Sequence, residues 1–258
     1  MVASQNYTGK IKHWLDGLIE PEQLEAPDRN FAGHRDILTR SLARYHFIAP
    51  YVKGTVLEVG CGRGYGPQVY KDRGDYFVGV DLSMNFLSEA RDLLRDNQFV
   101  QSNGDVLPFK HNSFDTIISL EVIEHIEDDS GFLFGLTKLL KSNGILAIST
   151  PSRTITSGNS PRPLDRFHWR EYIVPEFYAL LQNYFRKVTI FGQFDVRSSI
   201  SPGNWILDHM GVKMKYLLPA KLQGKFSVAI REPLRLEECQ FQQENLESAH
   251  TFIALCIL

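Results

Sequence analysis

Three side chains that can bind a cation or move a proton stand close together in the sequence: Glu121, Glu124 and His125. Their spacing, i, i+3 and i+4, would place all three on one face of a helical turn. Carboxylate oxygens and an imidazole nitrogen together suit a divalent cation such as Mg²⁺ or Mn²⁺. An imidazole alone can instead accept the proton of a reacting hydroxyl. The segment therefore predicts a catalytic site, with the metal-assisted and the metal-free reading both open.

A glycine turn, Glu58-Val-Gly60-Cys-Gly62-Arg-Gly64, lies between a short apolar strand and a predicted helix. Glycines at such a turn let the backbone approach a ligand, and the helix start presents unpaired N–H groups. The dinucleotide fingerprint GxGxxG needs a third glycine, which would fall on Tyr65 or Pro67 here. A nicotinamide site is therefore disfavoured.

Two aspartates follow the next two predicted strands. Asp81 ends the second strand, where a carboxylate can accept hydrogen bonds from both hydroxyls of a ribose. Asp105 comes after the third strand and could bind the amino group of an adenine. Together with the glycine turn, these acids predict a nucleoside-containing ligand.

Five segments, taken in this order and spacing, resemble the class I S-adenosylmethionine-dependent methyltransferases: LEVGCGRGYG, GVDLS, GDVLPF, FDTIISLEVIEHI and LLKSNGILAISTPS. The resemblance covers roughly Leu57–Pro151. It implies S-adenosylmethionine as the cofactor and a seven-stranded, mostly parallel sheet whose last strand, Thr251–Leu258, runs antiparallel. The residues that it places around the cofactor are Glu58, Gly60, Gly62 and Gly64 at the methionine end, Asp81 and Leu82 at the ribose, Asp105 and Val106 at the adenine, and Leu120 at the end of the fourth strand.

The ExxEH pattern resembles two metal-assisted groups, the ubiquinone-pathway O-methyltransferases and the small-RNA 3′-terminal 2′-O-methyltransferases. In both groups a further histidine comes after the fifth strand, and His168 lies in that region here. The resemblance implies that Glu121, Glu124, His125 and His168 hold Mg²⁺ or Mn²⁺ and carry the catalysis. In the metal-free alternative, Glu121 touches the cofactor, Glu124 caps the next helix and His125 alone lines the acceptor pocket.

Two further segments, SLARYHFIAPYVKG and FHWREYIVPEFYALLQNYF, resemble methyltransferases that modify glycans and natural products. The expected acceptor is a hydroxyl on a small molecule such as a sugar, a polyketide, a phenol or a modified peptide. Arg162, Arg166 and Arg170 could bind an anionic group of that acceptor, although loop solubility explains them equally well.

Two rival functions come from other classes. One is 2′-O-methylation of RNA, which a formal charge of −2 and the lack of a recognisable RNA-binding module argue against. The other is a cofactor-binding regulator without an acceptor site, which the retained Glu121, Glu124 and His125 argue against. A nucleic-acid partner is therefore not expected.

Apolar strands that alternate with helices predict an α/β fold with a doubly wound parallel sheet. One predicted helix starts after its N-cap Ser83. Its predicted buried stripe consists of Met84, Leu87, Ala90, Leu93 and Leu94. The predicted strands are Val56–Val59, Tyr76–Val80, Phe99–Gln101, Thr116–Leu120, Ile145–Ser149 and Val188–Phe191, before the final Thr251–Leu258. The other predicted helices are His34–Ile48, Pro67–Asp72, Phe132–Leu140 and Pro175–Tyr184.

The pattern divides the chain into four parts. Residues 1–50 form an N-terminal helical cover, 51–194 the cofactor-binding core, 195–249 an insertion that shapes the substrate pocket, and 250–258 the final core strand. About twenty polar residues after Pro151 lack a period, and such a long loop is typical of a lid or a substrate loop.

The composition is that of a soluble globular protein, with 258 residues of which 43% are hydrophobic. Its three cysteines lack CxxC spacing, which favours a reducing compartment. The sequence shows neither a signal-peptide pattern nor a run of about 18 apolar residues. We therefore expect a cytoplasmic protein without a membrane span, whose oligomeric state the sequence does not fix.

Overall fold

The structure, a computed structural model, describes residues 31–104, 106–196 and 234–258. These residues contain an eight-stranded sheet with the strand order β3-β2-β1-β4-β5-β8-β6-β7. Its strands are β1 (Gly54–Val59), β2 (Gly74–Asp81), β3 (Gln98–Gln101), β4 (Phe114–Leu120), β5 (Leu140–Pro151), β6 (Lys187–Asp195), β7 (Cys239–Gln242) and β8 (Thr251–Ile257).

The first five strands are parallel, and the last three are antiparallel to their neighbours. This arrangement confirms the doubly wound α/β fold and the antiparallel inner strand β8. The predicted number of strands was wrong, because Cys239–Gln242 pairs with Gly192–Asp195 and adds an eighth strand. Four residues without a clear period give little signal in the sequence, and their strand conformation depends on this distant pairing.

Six helices connect or cover the described strands. They are α1 (Phe31–Ile48), α2 (Tyr65–Tyr70), α3 (Met84–Leu93), α4 (Asp129–Leu139), α5 (Arg153–Thr156) and α6 (Val174–Gln182). Most predicted boundaries agree within a few residues. The largest difference is the start of β5, which begins at Leu140 instead of Ile145 because Leu140 already pairs with Phe114.

Both faces of the sheet carry a hydrophobic core. Strand β8 shows this directly, because Phe252 and Ala254 belong to one apolar cluster and Ile253 and Leu255 to the other. The first cluster contains side chains of α4 and α6, and the second contains side chains of α1, α2 and α3. Because both faces of the sheet are buried, the strands have mostly apolar sequences instead of alternating apolar and polar residues.

The helix α3 has the predicted N-cap, since the Ser83 side chain accepts the Phe86 N–H at 3.4 Å. Leu87 and Ala90 are fully buried, whereas Met84 is 48% and Leu93 42% exposed. The predicted stripe was therefore too wide. Because α3 packs against the edge strand β3 and its neighbour β2, the sheet covers only a narrow face of this helix.

The segment after Pro151 contains one short helix that the sequence did not predict, and residues 157–171 form neither helix nor strand, as predicted. Helix α5 starts almost directly after β5, and the Arg153 N–H donates to the Tyr172 carbonyl at 2.9 Å. Ser152 and Tyr172 also form an isolated parallel bridge. The two ends of the segment are therefore joined just after the last residue of β5.

Two of the four predicted parts of the chain lie largely outside the described residues. Residues 1–30 of the predicted helical cover and residues 197–233 of the predicted insertion are not described. Within the described part of the cover, Leu42, Tyr45 and Ile48 of α1 are buried. Among the described helices, none has the length and the apolar composition that a membrane crossing needs.

Candidate active site

The glycine turn after β1 has a backbone that other residues adopt poorly. Gly60, Gly62 and Gly64 have φ angles of 76°, 52° and 76°, in the left-handed region. A Cβ at Gly60 would overlap the Val122 side chain, whereas one at Gly62 would meet no atom within 4 Å. The turn is therefore packed on one side and open at Gly62.

Asp81 connects this turn to the end of β2. One carboxylate oxygen accepts the Gly62 N–H at 2.8 Å, and the other accepts the Ser83 N–H at 2.8 Å. Each oxygen can accept a further hydrogen bond. The predicted ribose acceptor is therefore held in a fixed orientation beside the open part of the turn.

Leu82, predicted to contact the ribose, and Val106, predicted to contact the adenine, have apolar side chains that are 68% and 75% exposed. Gln101 donates to the Leu82 carbonyl at 2.9 Å, and Ser102 donates to the Val106 carbonyl at 2.9 Å. Both exposed side chains thus belong to segments tied to the end of β3. Asp105 lies outside the described residues, and Leu120 is buried.

Glu58 lies beneath the turn and is only 1% exposed. Its two carboxylate oxygens accept the hydroxyls of Tyr45 at 2.5 Å and of Tyr70 at 2.8 Å. Burial raises the pKa of Glu58 to about 7, although the two tyrosine hydrogen bonds oppose this rise. Glu58 thereby joins α1 and α2 to β1, and its contact with the methionine end of a cofactor stays a prediction.

The raised pKa of Glu58 gives a pH dependence of stability. The folded protein keeps a proton on Glu58 up to about pH 7, whereas the unfolded chain releases it near 4.5. The stabilisation is complete below pH 4.5 and is lost as the pH rises through 7. We expect the free energy of unfolding to fall across this window by on the order of 3 kcal/mol more in the wild type than in Glu58→Gln. Urea unfolding of both proteins across the window measures the difference, and parallel pH profiles would contradict it.

Glu121, directly after β4, has a φ of 56°, which is rare for a residue with a side chain. Its carboxylate accepts the Ser149 hydroxyl at 2.7 Å and lies 4.0 Å from the Arg44 guanidinium. The left-handed backbone interrupts any helix here, and only Ile123–His125 form a short 3-10 turn. The predicted helical face shared by Glu121, Glu124 and His125 was therefore wrong.

Glu124 is buried at the base of the site and is 1% exposed. Burial and the neighbouring charge of Glu121 raise its pKa well above the usual value. Its Oε2 atom is buried and has no hydrogen-bond partner in the described part of the chain. Helix α4 is capped by Asp128, whose carboxylate accepts the Gly131 N–H at 2.9 Å, so the capping role considered for Glu124 is not what the structure shows.

The segment around His168 is fixed to this turn by the main chain. The Glu124 carbonyl accepts the N–H of Trp169 at 2.8 Å and of Arg170 at 3.3 Å. The Arg170 guanidinium also donates to Asp129 at 2.8 Å, which leaves Arg170 engaged within the protein. These contacts place His168 next to His125, with their ring centroids 4.9 Å apart.

In both histidines the Nδ1 atom has a hydrogen-bond partner. His125 Nδ1 lies 3.0 Å from the Phe167 carbonyl oxygen, and His168 Nδ1 lies 2.8 Å from a carboxylate oxygen of Glu171. A carbonyl and a carboxylate only accept, so each Nδ1 carries the proton when the ring is neutral. Each Nε2 then offers its lone pair.

Glu124, His125 and His168 each contribute a ligand atom to a group whose members lie within 4.8 Å of one another. Within the described ranges, this group does not include Glu121, so the predicted set of four ligands is reduced to three. The reason is that the carboxylate of Glu121 is bound to Ser149 instead. Glu124 offers a carboxylate oxygen and each histidine offers a ring nitrogen, and this donor set fits a divalent cation.

Glu171 is a residue that the sequence reasoning missed. It is 2% exposed, and its carboxylate accepts the Thr156 hydroxyl at 2.6 Å in addition to His168. Burial alone would raise the pKa of Glu171, but hydrogen bonds from Ser157, Thr156 and His168 outweigh it and lower the pKa. Its position three residues after a candidate histidine was the only signal in the sequence.

Exposed residues of the segment around His168 form a rim, and Phe167 of this segment contacts His125. Leu164, Phe167 and Trp169 have 71%, 63% and 61% of their surface exposed. The Arg166 guanidinium lies 4.6 Å from the centre of the Phe167 ring, and Arg162 is also exposed. Apolar and cationic groups are thus available next to the candidate cation site.

Comparison with known proteins identifies a methyltransferase domain in this chain. Residues 57–148 match the family model of a methyltransferase domain. A probable S-adenosylmethionine-dependent methyltransferase of Mycobacterium tuberculosis is 32% identical over 138 residues, which are 53% of this chain and 50% of that protein. A ubiquinone biosynthesis O-methyltransferase of Bartonella quintana is 31% identical over 42% of this chain and 45% of its own length. The chain thus spans about half of the length of these curated relatives.

Among solved structures, the fold is similar to that of an S-adenosylmethionine-dependent methyltransferase of Thermotoga maritima, described as a possible histamine N-methyltransferase. The TM-score is 0.59 at 16% identity, and the match covers 87% of this chain and 93% of that one. At this identity the likeness shows the shared fold alone.

Proposed function

We propose that the chain transfers the methyl group of S-adenosylmethionine to a hydroxyl of a small molecule, because residues 57–148 match the family model of a methyltransferase domain and one similar protein is named as an S-adenosylmethionine-dependent methyltransferase. We propose further that Glu124, His125 and His168 hold a divalent cation during this transfer. The observation that carries the proposal is the convergence of these three side chains at the carboxyl edge of the sheet, beside the glycine turn. The ubiquinone-pathway name of one group of relatives supports the choice of oxygen as the acceptor atom.

Four groups would bind the cofactor. The open backbone at Gly62 allows the approach of the methionine end, and Asp81 accepts hydrogen bonds from the ribose hydroxyls. The exposed side chains of Leu82 and Val106 would cover the faces of the adenine ring. A bound S-adenosylmethionine supplies a methyl group on a sulfonium, whose transfer requires the acceptor oxygen to lie in line with the methyl carbon.

The three side chains would fix the acceptor and manage its proton. A free alcohol is a poor nucleophile at neutral pH, and a divalent cation lowers the pKa of an oxygen bound to it while fixing its position. With a cation present, Glu124 would release its proton and supply negative charge, and each histidine would supply a neutral Nε2 donor. Glu124, His125 and His168 would hold the cation, and the acceptor oxygen would bind beside them.

A metal-free reaction is the second candidate. The exposed His125 has its Nδ1 proton directed to the Phe167 carbonyl, so its Nε2 can accept a proton from an acceptor hydroxyl. This candidate needs no ligand from His168. The two candidates therefore differ in their dependence on a cation and on His168.

The acceptor that suits the rim has an apolar or aromatic body and an anionic group. Leu164, Phe167 and Trp169 offer apolar surface, and Arg162 and Arg166 offer guanidinium groups that bind carboxylate or phosphate. A small phenolic acid or a hydroxylated acid with a hydrophobic chain combines these features.

Two assays test the proposed function. Titration calorimetry should show binding of S-adenosylmethionine and of S-adenosylhomocysteine but not of nicotinamide dinucleotides. Transfer of a labelled methyl group to a panel of phenols, sugars and hydroxy acids should then occur with Mg²⁺ or Mn²⁺ present. Absence of cofactor binding would refute the function, and transfer only to amines would refute the choice of oxygen.

A further inference from the structure

The buried carboxylate of Glu171 is the closest charged partner of His168. Glu171 Oε1 lies 2.8 Å from His168 Nδ1, and the Glu171 side chain is 1% exposed. The other carboxylate oxygen accepts the Thr156 hydroxyl at 2.6 Å, which holds the group in one orientation. Glu171 is not one of the candidate ligands, and the function proposed above gives no reason for a buried carboxylate beside His168.

We propose that Glu171 is a positioning residue that fixes the tautomer of His168. An ionised carboxylate accepts hydrogen bonds only, so its partner nitrogen Nδ1 must carry the imidazole proton. The lone pair of His168 then resides on Nε2, the nitrogen opposite the carboxylate. A carboxylate in this position also fixes the ring plane and makes the imidazole a stronger donor to a cation.

A main-chain carbonyl fixes the tautomer of His125 in the same way. The Phe167 carbonyl accepts from His125 Nδ1 at 3.0 Å, and Phe167 directly precedes His168. The Glu124 carbonyl in turn holds the N–H groups of Trp169 and Arg170. One segment, residues 167–171, thus orients both imidazoles and is itself held by the residue that supplies the third ligand.

The other charged group near His168 is Asp165. Its Oδ2 lies 3.8 Å from His168 Nε2, beyond hydrogen-bond distance, and its side chain is 49% exposed. The contact through Nδ1 is therefore the one that sets the tautomer. The inference rests on the proposed function only for what Nε2 binds, because the tautomer itself is a property of the free protein.

The test compares Glu171→Met, which removes the acceptor at similar size, with Glu171→Gln, which retains one. Nitrogen-15 NMR of the full chain without metal reports which imidazole nitrogen of His168 carries the proton, with His168→Asn for assignment. Titration with Mn²⁺ alone, followed by electron paramagnetic resonance, reports cation affinity. We expect the Nδ1–H tautomer in the wild type, the Nε2–H tautomer in Glu171→Met, and Mn²⁺ affinity about 10- to 100-fold weaker in Glu171→Met.

Further variants separate positioning from folding. Glu171→Gln should recover part of the Mn²⁺ affinity, and S-adenosylhomocysteine affinity should be the same in all variants. Glu176→Met, which removes an exposed carboxylate of α6, is the matched control and should behave as the wild type.

Two outcomes would overturn the inference. One is an Nε2–H tautomer of His168 in the wild type, which decides the question even where Glu171→Met does not fold. The other is a folded Glu171→Met with unchanged tautomer and Mn²⁺ affinity. If the wild type shows the Nδ1–H tautomer but binds no Mn²⁺, the role of Glu171 stands and the cation in the proposed function fails.

Discussion

Exchange of Glu124 for glutamine or of His125 for alanine is expected to lower the rate of methyl transfer by about 10²- to 10⁴-fold. Glutamine keeps the volume of the buried Glu124 side chain but removes its charge, and alanine removes the exposed imidazole of His125. Neither residue belongs to the glycine turn or to the Asp81 contacts. The affinity for S-adenosylhomocysteine, measured by calorimetry, should therefore remain nearly unchanged.

Controls and a chelator complete this experiment. Glu127→Gln and His111→Ala alter exposed residues of the same types and should retain full activity. A chelator should lower the wild-type rate as much as the substitutions do, and added Mg²⁺ or Mn²⁺ should restore it. Full activity in the chelator, with only His125 essential, would favour the metal-free reaction, and full activity of both variants would contradict the site.

Exchange of Asp81 for alanine is expected to weaken S-adenosylmethionine binding by about 10- to 150-fold. Two ribose hydroxyls would lose a charged acceptor, at a cost of on the order of 1.5–3 kcal/mol. The structure adds a second cause, because Asp81 also accepts the N–H groups of Gly62 and Ser83. Calorimetric titration of the variant with S-adenosylmethionine and with S-adenosylhomocysteine measures the loss.

A conservative variant separates these two causes. Asp81→Asn retains one oxygen acceptor and the side-chain volume, so we expect a smaller loss of affinity. Asp75→Asn, at the exposed start of the same strand, is the matched control. An affinity loss in Asp81→Ala without a change in unfolding free energy supports the ribose contact. Unchanged affinity would contradict it.

The fold was predictable from the sequence wherever local pattern and burial coincide. Strands such as Val56–Val59 and Thr116–Leu120 are mostly apolar because hydrophobic clusters lie on both faces of the sheet. The same pattern wrongly predicted burial for Met84 and Leu93. Both are apolar, yet they are exposed on α3, which packs on β2 and β3. It also missed β7, whose conformation depends on its pairing with β6.

The candidate site was predictable in its residue types but not in its geometry. Glu124, His125 and His168 come together as the motif indicated. Glu121 does not join them, because a left-handed residue between strand and turn breaks the helical spacing that the prediction assumed. Glu171 was missed for a related reason: its proposed role depends on burial and on the contact with His168, and no recognisable spacing encodes either.

The central position of β8 also bears on how the chain reaches this structure. All seven residues of β8 pair with β5 on one side and with β6 on the other, and both partners come from much earlier in the chain. Pairing between such distant segments is slow, because a large loop must close before the contacts form. Until β8 arrives, β5 and β6 each present an unpaired strand edge, the kind of surface through which partly folded chains aggregate.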